Sequence, residues 1–180
     1  MKHRLVLLLF VTLCCVSDAI AQTGTEGFSI GRENLKGVKA VYVSVDVTDA
    51  HIGSTELTQD QLLSDVQSRL QKAGIRVATE QEWVNEDDVG NLTLVVTLLK
   101  LPVGLTGVEI SPALVVYNIQ LDLQEAARLD RAPGKHIMAT IYAVATQTGA
   151  VRANAIKNLR VTAGNSVDVF VKDYIAANPK

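Results

Sequence analysis

Val41, Val43, Val45 and Val47 alternate with Tyr42, Ser44 and Asp46. A two-residue period with one aliphatic and one polar side predicts a half-buried strand from Lys39 to Val47. The same alternation recurs twice. Leu92, Leu94, Val96 and Leu98 oppose Thr93, Val95 and Thr97, and Tyr117, Ile119, Leu121 and Leu123 oppose Asn118, Gln120 and Asp122. These segments predict strands over 92–99 and 114–123. A further strand is read from His136 to Gln147, with a turn over 128–135 before it and a hairpin tip at Thr148-Gly149. A short strand is expected at 75–78, Glu80 to Gly90 reads as acidic and irregular, and 154–161 suits a short edge strand.

Between these runs the period changes to that of a helix. Leu62, Leu63, Val66, Leu70 and Ala73 form one apolar stripe. Thr58 followed three residues later by Gln61 is a capping box, with Leu57 and Leu62 at the staple positions. Gly74 suits the left-handed cap, and Ile75 can fold back on Leu70. A second stripe of Val167, Phe170, Val171, Tyr174 and Ile175 closes the chain, with Asn165 as its expected cap and Pro179 as its stop. The order predicts an α+β fold, a two-layer sandwich. One mostly antiparallel sheet carries two helices on one face and leaves the other face wet.

Two segments carry a family resemblance. Gln67 to Val77 (QSRLQKAGIRV) joins a helix end, a glycine cap and a strand start, and Phe170 to Lys180 (FVKDYIAANPK) ends a carboxy-terminal amphipathic helix. With this element order, the chain resembles small exported bacterial α/β proteins of unknown function. In outline it is also similar to the amino-terminal domain of the Tol-system propeller protein, a periplasmic two-layer α/β module. Both resemblances imply a fold and an envelope setting, and neither implies an activity for named residues.

The first residues add an address. Lys2, His3 and Arg4 precede an apolar run from Leu5 to Cys15, and Ala19-Ile20-Ala21 offers small residues for cleavage before Gln22. This three-part order predicts a signal peptide over 1–21. A flexible lead-in is expected over 22–35, and a single α/β domain over 36–180. Both cysteines, Cys14 and Cys15, fall in the leader. The mature chain would therefore have no disulfide and no thiolate ligand. Leu13 before Cys14 and Cys14 before Cys15 are poor lipoprotein cleavage contexts, which favours export without a lipid anchor. No later apolar run is long enough to predict a transmembrane helix.

Of the 17 basic and 19 acidic residues, Lys2, Arg4 and Asp18 leave with the leader, so the mature net charge is −3. That balance argues against binding nucleic acid through charge. The hydrophobic content of 48% supports a large core, and only 4% of residues are aromatic, so that core is aliphatic.

Candidate chemistry is sparse. His51 stands near Asp46, Asp49 and Glu56 but lacks metal-ligand spacing, and His136 reads as an exposed strand residue. No Gly-x-Ser-x-Gly or phosphate loop is present, and Ser166 reads as part of a helix start. The acidic run from Glu80 to Asp88 lacks the spacing of a calcium loop. No cofactor or metal is expected. Two surfaces remain. One is the wet sheet face, expected to hold Tyr42, Ser44, Asp46, Thr93, Thr97, Asn118, Gln120, Asp122, Thr140 and Tyr142, with Tyr42 and Tyr142 as aromatic anchors. The other is the apolar stretch from Leu101 to Ile110, with Leu105 at its centre, which either covers the core or meets a partner. The binding candidates are therefore Tyr42, Asn118, Gln120, Tyr142 and Leu105. The expected function is an exported, non-catalytic binding or assembly module of the bacterial envelope, for a protein partner or a small ligand. The alternative is a periplasmic hydrolase whose residues converge only in space. Amino-terminal sequencing of the exported protein is expected to begin at Gln22. A chain beginning at an acylated Cys14 or Cys15 would instead mark a lipoprotein.

Overall fold

The computed structural model describes residues 29–50, 57–101 and 113–179. The leader, His51 and Leu105 lie outside them. Six strands form one sheet: β1 (Ser29–Ile30), β2 (Ala40–Ala50), β3 (Arg76–Val77), β4 (Val89–Lys100), β5 (Leu114–Leu129) and β6 (Ala132–Arg152). Their order is β1-β6-β5-β4-β2-β3. The β1–β6, β6–β5 and β5–β4 pairs are antiparallel, and β2 is parallel to both β3 and β4. The sheet is therefore mixed. Its parallel part exists because two helices, α1 (Gln59–Lys72) and α2 (Glu80–Asn85), carry the chain back after β2 and after β3.

The alternation predicted for β2, β4 and β5 sets the layers. Val41, Val43 and Val45, with Leu92, Leu94, Val96 and Leu98, and with Ile119, Leu121 and Leu123, are buried on one face. Over them lie Leu62, Val66 and Leu70 of α1 and Leu159, Ala163, Val167 and Phe170 of α3 (Leu159–Ala177). The two-layer α+β sandwich with both long helices on one face is observed.

The start and end of α1 follow the sequence signals. The Thr58 side chain accepts from the Gln61 amide, and the Gln61 side chain accepts from the Thr58 amide. Gly74 has φ +75°, and the Ile75 amide donates to the Leu70 carbonyl at 3.0 Å. That bond closes the helix in the manner of a Schellman turn, for which glycine carries no Cβ penalty.

Several local expectations are corrected. Residues 29–35 are not a flexible lead-in, because β1 pairs with β6, and the 3-10 turn Arg32–Leu35 places Leu35 fully in the core. The acidic stretch after Thr79 contains α2, started by a second capping box between Thr79 and Glu82. Thr148-Gly149 is no hairpin tip. It lies inside the 21-residue β6, opposite Asn118 and Tyr117. A Cβ on Gly149 would stand 2.6 Å from the Tyr117 hydroxyl, so this glycine serves a close side-chain approach rather than a turn. The β5–β6 turn is at Asp130-Arg131. Residues 153–158 form a 3-10 turn instead of an edge strand, and α3 already begins at Leu159. Asn165 is therefore helical and is not the cap. Ile175, expected in the stripe, is half exposed.

Phe170 is fully buried and meets the Tyr142 ring edge-on, with centroids 5.5 Å apart. Phe170→Ala is expected to lower stability by about 3–5 kcal/mol, read as a shift in the denaturant midpoint at constant slope.

Candidate functional site

The sheet face opposite α1 and α3 is built by strand register. Tyr42 and Ser44 of β2 stand opposite Asn91 and Thr93 of β4, which stand opposite Gln124 and Asp122 of β5. The hydroxyl of Ser44 lies 3.0 Å from both the Asn91 side-chain oxygen and the Thr93 hydroxyl. Asn118 donates to Thr148 at 3.1 Å, on the same face. Tyr42, Asn118 and Gln120 therefore lie where their alternation places them. Gln120 is exposed, and Tyr42 and Asn118 are half-buried.

Two features of this face were not read from sequence. First, α2 brings Trp83 onto Tyr42. The rings are stacked, with centroids 5.3 Å apart and planes at 10°. Beneath them Ala40, Ala78 and Val89 form a small second core. Arg76 of β3 ties α2 down through Glu82 at 2.8 Å and Glu86 at 3.0 Å. The Glu82 carboxyl is held below the usual carboxylate range by hydrogen bonds from the Thr79 amide and hydroxyl, with help from Arg76. The Thr79-x-x-Glu82 capping box was the sequence signal available for this helix. Second, Asp122 is only 8% exposed, and the Gln120 amide donates to its Oδ2 at 2.6 Å. No ion pair to Asp122 is found among the described residues.

Tyr142 is not on this face. It is 1% exposed, in the core. The cause is a β-bulge: Thr140 opposes Gln124 and Tyr142 opposes Leu123, so Ile141 is an extra residue. Simple alternation along β6 fails at that point. Thr140 stays outside, and Tyr142 turns inward. Its hydroxyl donates to Asp173 of α3 at 3.1 Å. Asp173 is 2% exposed, accepts from Ser29 as well, and pairs with Arg32 at 2.6 Å. This cluster clasps β1 and the following turn to α3 and β6. It supplies hydrogen-bond partners to both oxygens of a buried carboxylate, so it reads as structural.

A groove of about 690 Å³ runs between the outer faces of α1 and α3. Four of its five charged residues are matched in pairs, Lys72 being the fifth. Arg69 grips both oxygens of Asp168 at 2.6–2.7 Å, and Arg160 grips both oxygens of Asp65 at 2.8 Å. Ser166 is buried and accepts from the Gln147 side-chain amide at 2.8 Å. His136 is exposed on β6. Among the described residues no group of three or more His, Cys, Asp or Glu side chains could hold a metal ion. None of the described helices is long and apolar enough to cross a membrane.

No family model matches the chain, and no curated protein matches it. Solved structures do show similarity. Rare lipoprotein B from Shewanella oneidensis is 14% identical with a TM-score of 0.41, over 76% of this chain and 96% of that one. The PelC dodecamer from Paraburkholderia phytofirmans is 15% identical with a TM-score of 0.38, over 83% and 93%. A neuraminyllactose-binding hemagglutinin homolog from Helicobacter pylori is 12% identical with a TM-score of 0.42, over 77% and 84%. All three are bacterial proteins. The Tol-system propeller protein is not one of them. Identities this low and superpositions this loose say nothing about function.

Burial raises the Tyr142 phenol well above its ordinary value of 10, and burial raises Tyr174 in the same direction. The unfolded chain therefore loses these phenolic protons at lower pH than the native protein does. Stability is full below about pH 10 and falls as pH rises through the native values. Tyr142→Phe is expected to remove part of this alkaline loss, leaving the share due to Tyr174. At neutral pH it is expected to cost about 1–2 kcal/mol for the lost hydrogen bond to Asp173. Denaturation midpoints of both proteins across neutral and alkaline pH check both expectations.

Proposed function

We propose that the mature chain is an exported, non-catalytic binding module of the bacterial envelope, working in the periplasm, and that it binds through the uncovered sheet face. The leader-like first 21 residues support export. One observation carries the binding role: the Tyr42–Trp83 stack adjoins a grid of hydrogen-bonding side chains on a face that α1 and α3 leave open. Aromatic side chains give large contact area at low entropy cost and are enriched among interface anchors. The neighbouring amides and hydroxyls supply direction. Tyr42 and Gln120 keep the roles expected of them. Trp83 takes the place of Tyr142 as the second anchor, and Asn118 lies further along the same face.

Affinity capture from envelope extract, with bound proteins and small molecules identified by mass spectrometry, tests this reading. Gln120→Arg places a bulky cation on the face without touching the core, and Tyr42→Ser removes the anchor. Each is expected to leave the fold intact by circular dichroism. Tyr42→Ser is expected to weaken capture by about 2 kcal/mol, roughly 30-fold. Capture that survives both changes but is abolished by Leu105→Asp would move the site to the 101–110 stretch.

A further inference from the structure

We infer that the ligand of this face is an uncharged oligosaccharide, an inference that rests on reading the face as the binding surface. Strand spacing sets the platform. From β2 across β4 to β5 is about 10 Å, and two residues along a strand add about 7 Å. Within that area the register places Tyr42, Ser44, Asn91, Thr93, Gln124 and Asp122.

The donor and acceptor inventory fits hydroxyl-rich chemistry. A sugar hydroxyl both donates and accepts. Ser44 and Thr93 also do both, and Asn91 and Gln124 offer a donor and an acceptor on one side chain. Asp122 adds a strong acceptor. Its Oδ2 is held by Gln120, which orients the carboxylate before any ligand arrives. A hydroxyl donating to an ionised carboxylate makes a hydrogen bond about twice as strong as a neutral one. Because the Tyr42 and Trp83 rings are stacked on each other, each keeps one face that the other does not cover. Such a face suits the apolar C–H side of a sugar ring.

Charge narrows the class. The platform carries the Asp122 carboxylate, with Asp46 exposed beside it on β2. The cation adjoining the aromatic stack, Arg76, is already engaged by Glu82 and Glu86. Arg128 and Arg152 stand toward the ends of β5 and β6, away from the grid. Lys39, at the base of β2, is likewise engaged by Asp88, so among the described residues a phosphorylated, sulfated or sialylated ligand would meet repulsion without an unengaged cation beside the grid.

The single tryptophan of the chain makes the test direct. Trp83 emission is followed while the mature protein is titrated with neutral tetrasaccharides built on glucose, N-acetylglucosamine, mannose or galactose, and with heparin as the anionic control. At least one neutral tetrasaccharide is expected to give a saturable change with a Kd of about 1 mM or tighter. Heparin is expected to give none. By calorimetry, Tyr42→Ala and Asp122→Asn are each expected to weaken the responding sugar about tenfold or more, and Gln120→Arg, which removes the bond that orients Asp122 and adds a bulky cation to the face, is expected to do the same. The inference is overturned if no neutral tetrasaccharide binds, if heparin binds more tightly, or if sugar binding survives all three changes. Should the sugars fail while Tyr42→Ser still abolishes envelope capture, only the ligand class is wrong. Failure of both removes the face itself.

Discussion

The aliphatic side of β2, β4 and β5 has to be kept from water, and nearly every other feature follows from how that is done. Each buried Val, Leu or Ile contributes about 1.5–3 kcal/mol relative to exposure, so the face is a strong constraint. Leu62, Val66 and Leu70 cover it from α1, and Val167 and Phe170 cover it from α3. With both long helices committed to one side, the opposite side of the same strands is left as a polar surface. The candidate site is the complement of the core: each residue of β2, β4 and β5 that enters one is flanked by residues that enter the other.

The two edges of the sheet are finished by different means. At the β3 edge, α2 folds over the open face, and the Arg76–Glu82–Glu86 cluster holds it beside Tyr42. At the β6 edge, β1 supplies only two residues of pairing, and the buried Asp173 carboxylate supplements that short ladder through Ser29, Arg32 and Tyr142. A carboxylate this deep is tolerable because its oxygens are met by hydroxyl and guanidinium donors. The Asn34 amide also donates to the Ile141 carbonyl at 2.8 Å, so the bulge that turns Tyr142 inward is fastened by the same segment.

The open face is rich in hydrogen-bonding groups that engage one another. Its hydroxyls bond to one another and to amides, and its one nearly buried carboxylate is engaged by Gln120 rather than by a histidine. Ser166, expected at a helix start, lies inside α3 on the other side of the sheet and accepts a hydrogen bond from Gln147. What the face offers is an array of donors and acceptors beside two stacked rings.

The amino-acid sequence by itself determined the elements whose signals are local. Two-residue alternation marked the inward side of β2, β4 and β5, and so placed Tyr42, Asn118 and Gln120 correctly. The Thr58–Gln61 box and Gly74 marked both ends of α1, because capping depends on atoms within a few residues. Tertiary structure decided what depends on distant partners. The bulge at Ile141 is set by pairing with β5 and by Asn34, so counting along β6 put Tyr142 on the wrong face. Gly149 looks like a turn until Tyr117 is seen lying across it. The final helix gains about two turns at its start because Leu159 and Ala163 are buried against the sheet, and that burial outweighs the helix-breaking character of Gly164 and Asn165. Trp83 reached the candidate site through a six-residue helix whose face is chosen by contact with Tyr42 and the small core below it. Local hydrogen bonding can be read from neighbours in the chain, whereas register shifts and cross-strand contacts exist only once the strands have met.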